Sequence, residues 1–129
     1  MQDDFHKSIL KSLSEAVCAV DLKWRIVCFN RQAQELTGIS SEDALGAHFK
    51  AIFPVEENDL CAIVKAALQM GESVQKKPLE LKNCHSEQIP VISNVCPVLN
   101  SAGTVSGATI IIQDNRPIEL LRRELRNRH

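Results

Sequence analysis

The stretch AVCAVDLKWRIVCFN, residues 16–30, decides the fold. Two apolar, β-prone runs, 16–21 and 25–30, end in Asp21 and Asn30, and only Leu22, Lys23 and Trp24 lie between them. So short a connection holds a turn and nothing more, so the runs pair as an antiparallel hairpin. Trp24 is large for a turn position and is expected to cover something. Downstream, Asn30 is a good N-cap for a helix over Arg31–Thr37, and Gly38 supplies its stop. Ser41, with Glu42 and Asp43 behind it, starts a second short helix that Gly46 ends. The run AHFKAIFP, 47–54, is a turn or two of helix closed by Pro54. Leu60, Ile63, Val64, Ala67 and Leu68 then repeat at helical spacing, giving a longer helix from Asn58 or Asp59 to Met70, with Gly71 as terminator.

After Gly71 the period changes. Leu79 and Leu81 alternate with Glu80 and Lys82, a polar turn follows over 83–87, and 89–99 is a long apolar strand. The loop Asn100-Ser101-Ala102-Gly103 has its glycine late, as hairpin loops prefer, and 105–113 is the most β-prone run of the chain. Upstream of the hairpin, Phe5, Ile9 and Leu13 fall at i, i+4 and i+8 on one face of an amphipathic helix, residues 1–14. At the other end, Asp114 opens a polar, Arg-rich helix. The order is helix, two strands, several short helices, three strands, helix. Strands joined by short turns pair antiparallel, and helices gathered between the second and third strands cover one face. The fold class is therefore α+β: a five-stranded antiparallel sheet with short helices on one face, flanked by N- and C-terminal amphipathic helices.

Composition narrows the function. With 44% hydrophobic and 24% charged residues, the 129-residue chain is ordinary for one globular domain and unlike a disordered one. Fifteen Lys and Arg against sixteen Asp and Glu give a net charge of -1, so no protein-wide basic footprint for nucleic acid exists. No apolar run reaches the roughly 18 residues a membrane span needs, and no membrane partner is expected. MQDDFHKSIL lacks the charged-then-apolar layout of a secretory signal. Five cysteines, an odd number with no CxxC pair, read as reduced thiols in a cytoplasmic protein. Cys18, Cys28 and Cys96 lie in strand-like runs and are expected to act as small hydrophobes. No GxSxG, HExxH, GxGxxG or phosphate-loop motif occurs, so no enzyme activity is expected.

With these elements in place, the segment RIVCFNRQAQELTGISSEDALGAHF, 25–49, resembles the core of a PAS domain, where a strand ends in Asn, a helix follows and a Gly precedes the next short helix. Gln113-Asp114-Asn115 resembles the family's Asp-x-Thr junction between last strand and exit helix, with Arg116 where a Thr is often seen. Residues 71–129 further resemble the PAS domains that precede the AAA+ ATPase module of sigma-54-dependent transcriptional regulators, with ELLRRELRNRH as the connecting helix. The resemblance implies a sensor core over 15–114 and a signalling helix over 115–129 leading to an output domain, an AAA+ ATPase or, as the alternative, a histidine kinase.

The resemblance and strand parity together place a small-molecule pocket between sheet and helices, lined by Cys28, Leu36, His48, Phe49, Ile52, Cys61, Val64, Leu81, Val91, Ser93, Ala108, Ile110 and Ile112. Phe49, Ile52 and Val64 can instead fill that space, leaving a purely protein–protein PAS module. His48 with Cys61 could ligate haem or a metal, but two isolated residues fall short of a site, so no metal or haem is expected. The NCRFLQ loop of the flavin-binding relatives is absent, so no flavin is expected. Asp114 is the signal junction. Ile118, Leu121 and Leu125 make a short a/d seam, and with Phe5, Ile9 and Leu13 they are the expected contacts of a homodimer. The five arginines at 116, 122, 123, 126 and 128 against Glu119 and Glu124 read as a solvated face, since no aromatic is interleaved, and no direct nucleic-acid partner is expected.

Overall fold

A computed structural model describes residues 15–53, 59–82 and 85–127. Its elements are β1 (Glu15–Asp21), β2 (Ile26–Phe29), α1 (Arg31–Thr37), α2 (Ser41–Ala44), α3 (Phe49–Ile52), α4 (Asp59–Met70), β3 (Val74–Lys82), β4 (Gln88–Leu99), β5 (Val105–Asp114) and α5 (Arg116–Asn127). One antiparallel sheet runs in the order β2-β1-β5-β4-β3. The first and last strands in sequence are thus neighbours at its centre, a closure that turn lengths alone do not dictate.

The opening hairpin forms as expected, and its turn is held by Asp21. One carboxylate oxygen of Asp21 accepts the amides of Lys23 (2.9 Å) and Arg25 (3.0 Å). Such a side-chain turn tolerates left-handed backbone, and Trp24 adopts it with φ 65°. In return the indole packs over the helical layer, its ring 5.7 Å from that of Phe49, while its carbonyl accepts the Phe49 amide at 2.7 Å. The expected role of Trp24 as a cover is therefore met, on α3.

Helix ends follow local chemistry. Asn30 caps α1, and Gly38 closes it in the left-handed region, φ 77°. Helix α2 starts at Ser41 as the sequence suggests, capped by Ser40, whose Oγ accepts from the Asp43 amide. His48 caps α3. Strand β3 starts five residues before the alternation at Leu79. Gln75 to Pro78 carry no apolar pattern, and they are strand because β4 pairs with them around an irregularity between Val74 and Lys77. Lysines and a proline suit this sheet edge, which they shield from further pairing.

Candidate functional site: the buried core and its exit helix

One sheet face carries the core. Ala16, Cys18 and Val20 of β1, Ile89, Val91, Ser93 and Val95 of β4, and Ala108, Ile110 and Ile112 of β5 alternate inward. Against them lie Ala33 and Leu36 of α1, Phe49 and Ile52 of α3, and Leu60, Val64, Ala67 and Leu68 of α4. The Phe49 and Phe53 rings pack against each other at a tilt of 32°, with centroids 4.9 Å apart. Ser93 is the polar member of the inward row on β4, and its Oγ donates to the Lys77 carbonyl at 3.1 Å, so its burial leaves no orphan donor.

Of the residues expected around the pocket, Leu36, Phe49, Ile52, Val64, Leu81, Val91, Ser93, Ala108, Ile110 and Ile112 are all buried in this single cluster. Cys61 is half-buried at the start of α4. Cys28 is a correction. It is exposed, because β1 and β2 pair around a bulge in which Val20 meets Ile26 and Ala19 meets Cys28. Val27 is the extra residue, and the inward alternation of β2 is broken, so Ile26 and Phe29 point inward and the two between them do not. Cys96 is also exposed, so among the three strand cysteines only Cys18 behaves as a core hydrophobe. His48 is half-buried at the edge, with its Nδ1 turned to the Lys50 amide. Sequence parity could have found Val95 and Ile89, which continue the row of Val91 and Ser93. The burial of Asn115 had no signal in the sequence.

Burial pushes the Cys18 thiol up to about 12 from 9.0, with the neighbouring Cys28 thiol a smaller cause. The folded state thus favours the neutral thiol. Its contribution is fully present below pH 9 and is lost as pH rises towards about 12. Two results follow: denaturation midpoints decline progressively above pH 9, more than in Cys18→Ala, and a thiol reagent at neutral pH labels Cys28 and Cys96 in the folded protein while Cys18 reacts only on unfolding.

At the end of β5 the inward row runs directly into the exit. Val91 of β4 pairs with Asp114, and the Asn115 amide donates to the Pro90 carbonyl at 2.8 Å, so the junction is pinned to β4. The Asn115 carbonyl accepts from Glu119, which makes Asn115 the N-cap of α5. Asp114 acts one residue earlier. Its Oδ1 accepts the Arg116 amide at 2.9 Å, and its carboxylate binds the Arg116 guanidinium with a shortest contact of 2.6 Å. That hydrogen-bonded carboxylate raises Arg116 above its ordinary value. Gln32, Glu35 and Leu36 of α1 share a cleft of about 180 Å³ with the pair. Beyond it, Leu120, Leu121 and Leu125 of α5 are more than half exposed. Phe5, Ile9, Leu13 and the side chain of Ile118 lie outside the described residues.

Among the described residues, no group of three or more His, Cys, Asp or Glu could hold a metal ion, and no helix is long and apolar enough to cross a membrane.

A central antiparallel sheet, a one-sided layer of short helices and a helix leaving the last strand define an α+β module of two layers. The family described as PAS fold matches residues 4–115, and the chain belongs to it. Domains of this family are generally sensory, non-catalytic modules in signal transduction. The chain is 24% identical over 127 residues to the cyclic di-GMP phosphodiesterase PdeB of Shewanella oneidensis, and spans 98% of itself but 15% of that protein's length. Among solved structures, it resembles a sensory box sensor histidine kinase from Vibrio cholerae (TM-score 0.69, 22% identity, covering 88% of this chain and 90% of that one). It also resembles the light-state dimer of the fungal blue-light photoreceptor Vivid (TM-score 0.64, 16% identity, 78% of each chain). At these identities the structural likeness concerns the fold.

Proposed function

We propose that this PAS domain is the sensory and dimerisation module of a cytoplasmic bacterial regulator, with residues 15–114 as sensor core and 115–129 as signalling helix. A small ligand, or a change in packing, acts on the core that Phe49, Ile52, Val64, Ser93, Ala108, Ile110 and Ile112 share. The change passes along β5 to Asp114 and reorients α5. The observation that carries this reading is continuity: Ile110 and Ile112, at most 1% exposed, are followed within three residues by the Asp114 and Asn115 anchors of α5. A packed core has few intermediate arrangements, so a stimulus that favours one packing over another is read out at the helix as a two-state shift.

Leu121 and Leu125, exposed at 56% and 52%, are the seam through which two copies pair, with Ile118 completing its spacing. The dimer of Vivid supports such pairing by analogy of fold. The output domain is the AAA+ ATPase of a sigma-54-dependent regulator, on the resemblance of residues 71–129. A second reading, the PAS sensor of a histidine kinase, is favoured by the V. cholerae structure, of which this chain covers 90%.

Analytical ultracentrifugation tests the seam. The wild type sediments as a concentration-dependent dimer. Leu121→Asp removes one leucine from each side of the interface and weakens association by about two orders of magnitude. A wild type that stays monomeric at high concentration overturns the dimer reading. Mass spectrometry under native conditions, with an absorbance spectrum, tests the pocket: a co-purified small molecule supports ligand sensing, and a bare, ligand-free dimer supports sensing through packing alone.

A further inference from the structure

His48 sits where the β1–β2 turn meets the helical layer. Its Nδ1 accepts the Lys50 amide at 3.1 Å and so caps α3, the helix that carries Phe49 and Ile52 into the core. An imidazole nitrogen can accept that bond only when it bears no proton. The ring also lies flat on Trp24, with centroids 6.2 Å apart and planes 3° from parallel. Trp24 is held there by strained backbone at φ 65° and by the Phe49 amide on its carbonyl. Residues 25 and 48 form an isolated bridge that ties the hairpin to α3. One imidazole therefore joins three parts: the turn, the short helix and, through Phe49, the core.

Among the described residues, the charged groups on the two elements that meet at this ring are as follows. In the turn and the start of the second strand segment are Asp21, Lys23 and Arg25. Asp21 is engaged by the amides of Lys23 and Arg25, and the Arg25 guanidinium donates to the Gly46 carbonyl at 3.3 Å. On its own helix is Lys50. A protonated ring would lose the Lys50 bond and join the cations Arg25 and Lys50, while the indole face would still attract it. The ring then gives up the cap and keeps the stack.

We propose that His48 is a proton-operated latch on α3: the neutral imidazole fixes the helix over the core, and the imidazolium releases its first turn. Imidazole is the side chain whose charge changes closest to neutral pH, which makes a proton a chemically plain stimulus for this contact. The inference rests on the sensory reading above and names a stimulus for it. Its test reads α3 alone, so failure here leaves the ultracentrifugation result standing, and the reverse.

The experiment is NMR of the whole chain from about pH 8 to about pH 5, with tryptophan emission alongside. Trp24 is the only tryptophan, so emission reports this stack alone. In the wild type, the Lys50 amide, the Trp24 indole and the His48 ring nitrogens shift together with one midpoint. The Lys50 protection factor falls about fivefold as the cap is lost. In His48→Asn the side-chain oxygen caps the helix without titrating, and the Lys50 and Trp24 signals stay flat. A wild-type Lys50 amide that does not move across the range overturns the latch, as does a His48→Asn protein that follows the wild-type curve. Should His48→Asn not fold, the wild-type ring nitrogens decide: Nδ1 losing its acceptor signature in step with Lys50 supports the latch, and Nδ1 keeping it throughout overturns it.

Discussion

Gly107→Ala is expected to cost about 3 kcal/mol or more, a clear fall in the thermal midpoint. The reason is backbone proximity. Gly107 lies in β5 between Asp21 of β1 and Val98 of β4. A Cβ built there comes 2.3 Å from the Val20 carbonyl oxygen and 3.4 Å from its carbon. The obstructing atoms belong to a strand ladder and cannot swing aside as a side-chain tip would. Relief requires β1 to move off β5 at the centre of the sheet, beside the inward-facing Val20 and Ala108. Gly103→Ala is the control. Its backbone is left-handed, φ 80°, with nothing within 4 Å of the added carbon, so it costs only the conformational penalty of about 1–2 kcal/mol. Denaturant unfolding of both variants measures the difference. Equal losses would mean that β1 and β5 are not packed as closely as described.

Much of this architecture was legible because local signals agreed with the tertiary ones. Alternation along 89–95 and 108–112 located the inward faces, and Asn30, Gly38 and Gly71 punctuated helices as their backbone chemistry requires. The failures have physical causes. Cys28 reads as inward by parity, but the bulge opposite Ala19 and Val20 inserts one residue and turns it out. Parity counts residues, and a bulge changes the count. The first half of β3 has no apolar pattern of its own, since an edge strand takes its conformation from its partner. His48 reads as a pocket residue because its segment, AHFKAIF, resembles the region that borders a PAS cavity. In fact a ring nitrogen beside a helix start finds an amide donor close by, and the side chain is spent on capping. Asn115 reads as part of a polar exit, yet the amide that binds Pro90 holds it against the sheet.

That last contact bears on transmission. Asp114 holds the first amide and the side chain of Arg116, while Asn115 is fastened to β4, a different strand from the one that delivers the chain. The exit helix is therefore referenced to both β4 and β5. A change in the spacing of those two strands tilts α5, whereas a motion they share carries it along unchanged. Of the core residues, Val91, Ser93 and Val95 on one strand and Ile110 and Ile112 on the other are placed to alter that spacing.

Asn30→Ala is expected to destabilise the domain by about 3 kcal/mol, more than loss of a helix cap explains. The Asn30 Oδ1 accepts two amides at 2.9 Å, that of Ala33 in the first turn of α1 and that of Val17 in β1. Its Nδ2 donates to the Glu15 carbonyl at 3.2 Å, and its own amide donates to the Val17 carbonyl at 3.0 Å. Beyond Phe29, then, the side chain continues the β1–β2 ladder while it also starts the helix. Alanine leaves two donors and one acceptor without their partner in a half-buried place. Asn30→Asp keeps the acceptor for both amides but sets an anionic oxygen against the Glu15 carbonyl, so it falls between wild type and Asn30→Ala. Ser40→Ala removes a cap and nothing else, the Oγ bond to the Asp43 amide, and costs about 1 kcal/mol. Hydrogen exchange separates the two roles. The Val17 amide loses protection in Asn30→Ala and keeps it in Ser40→Ala. If the two variants were equally stable, with Val17 unchanged in both, Asn30 would be an ordinary cap, and the tie between hairpin and helical layer would rest on the Trp24 contacts with α3, the bridge of residues 25 and 48 and the backbone bonds of Ile26 to Gly46 and Ala47.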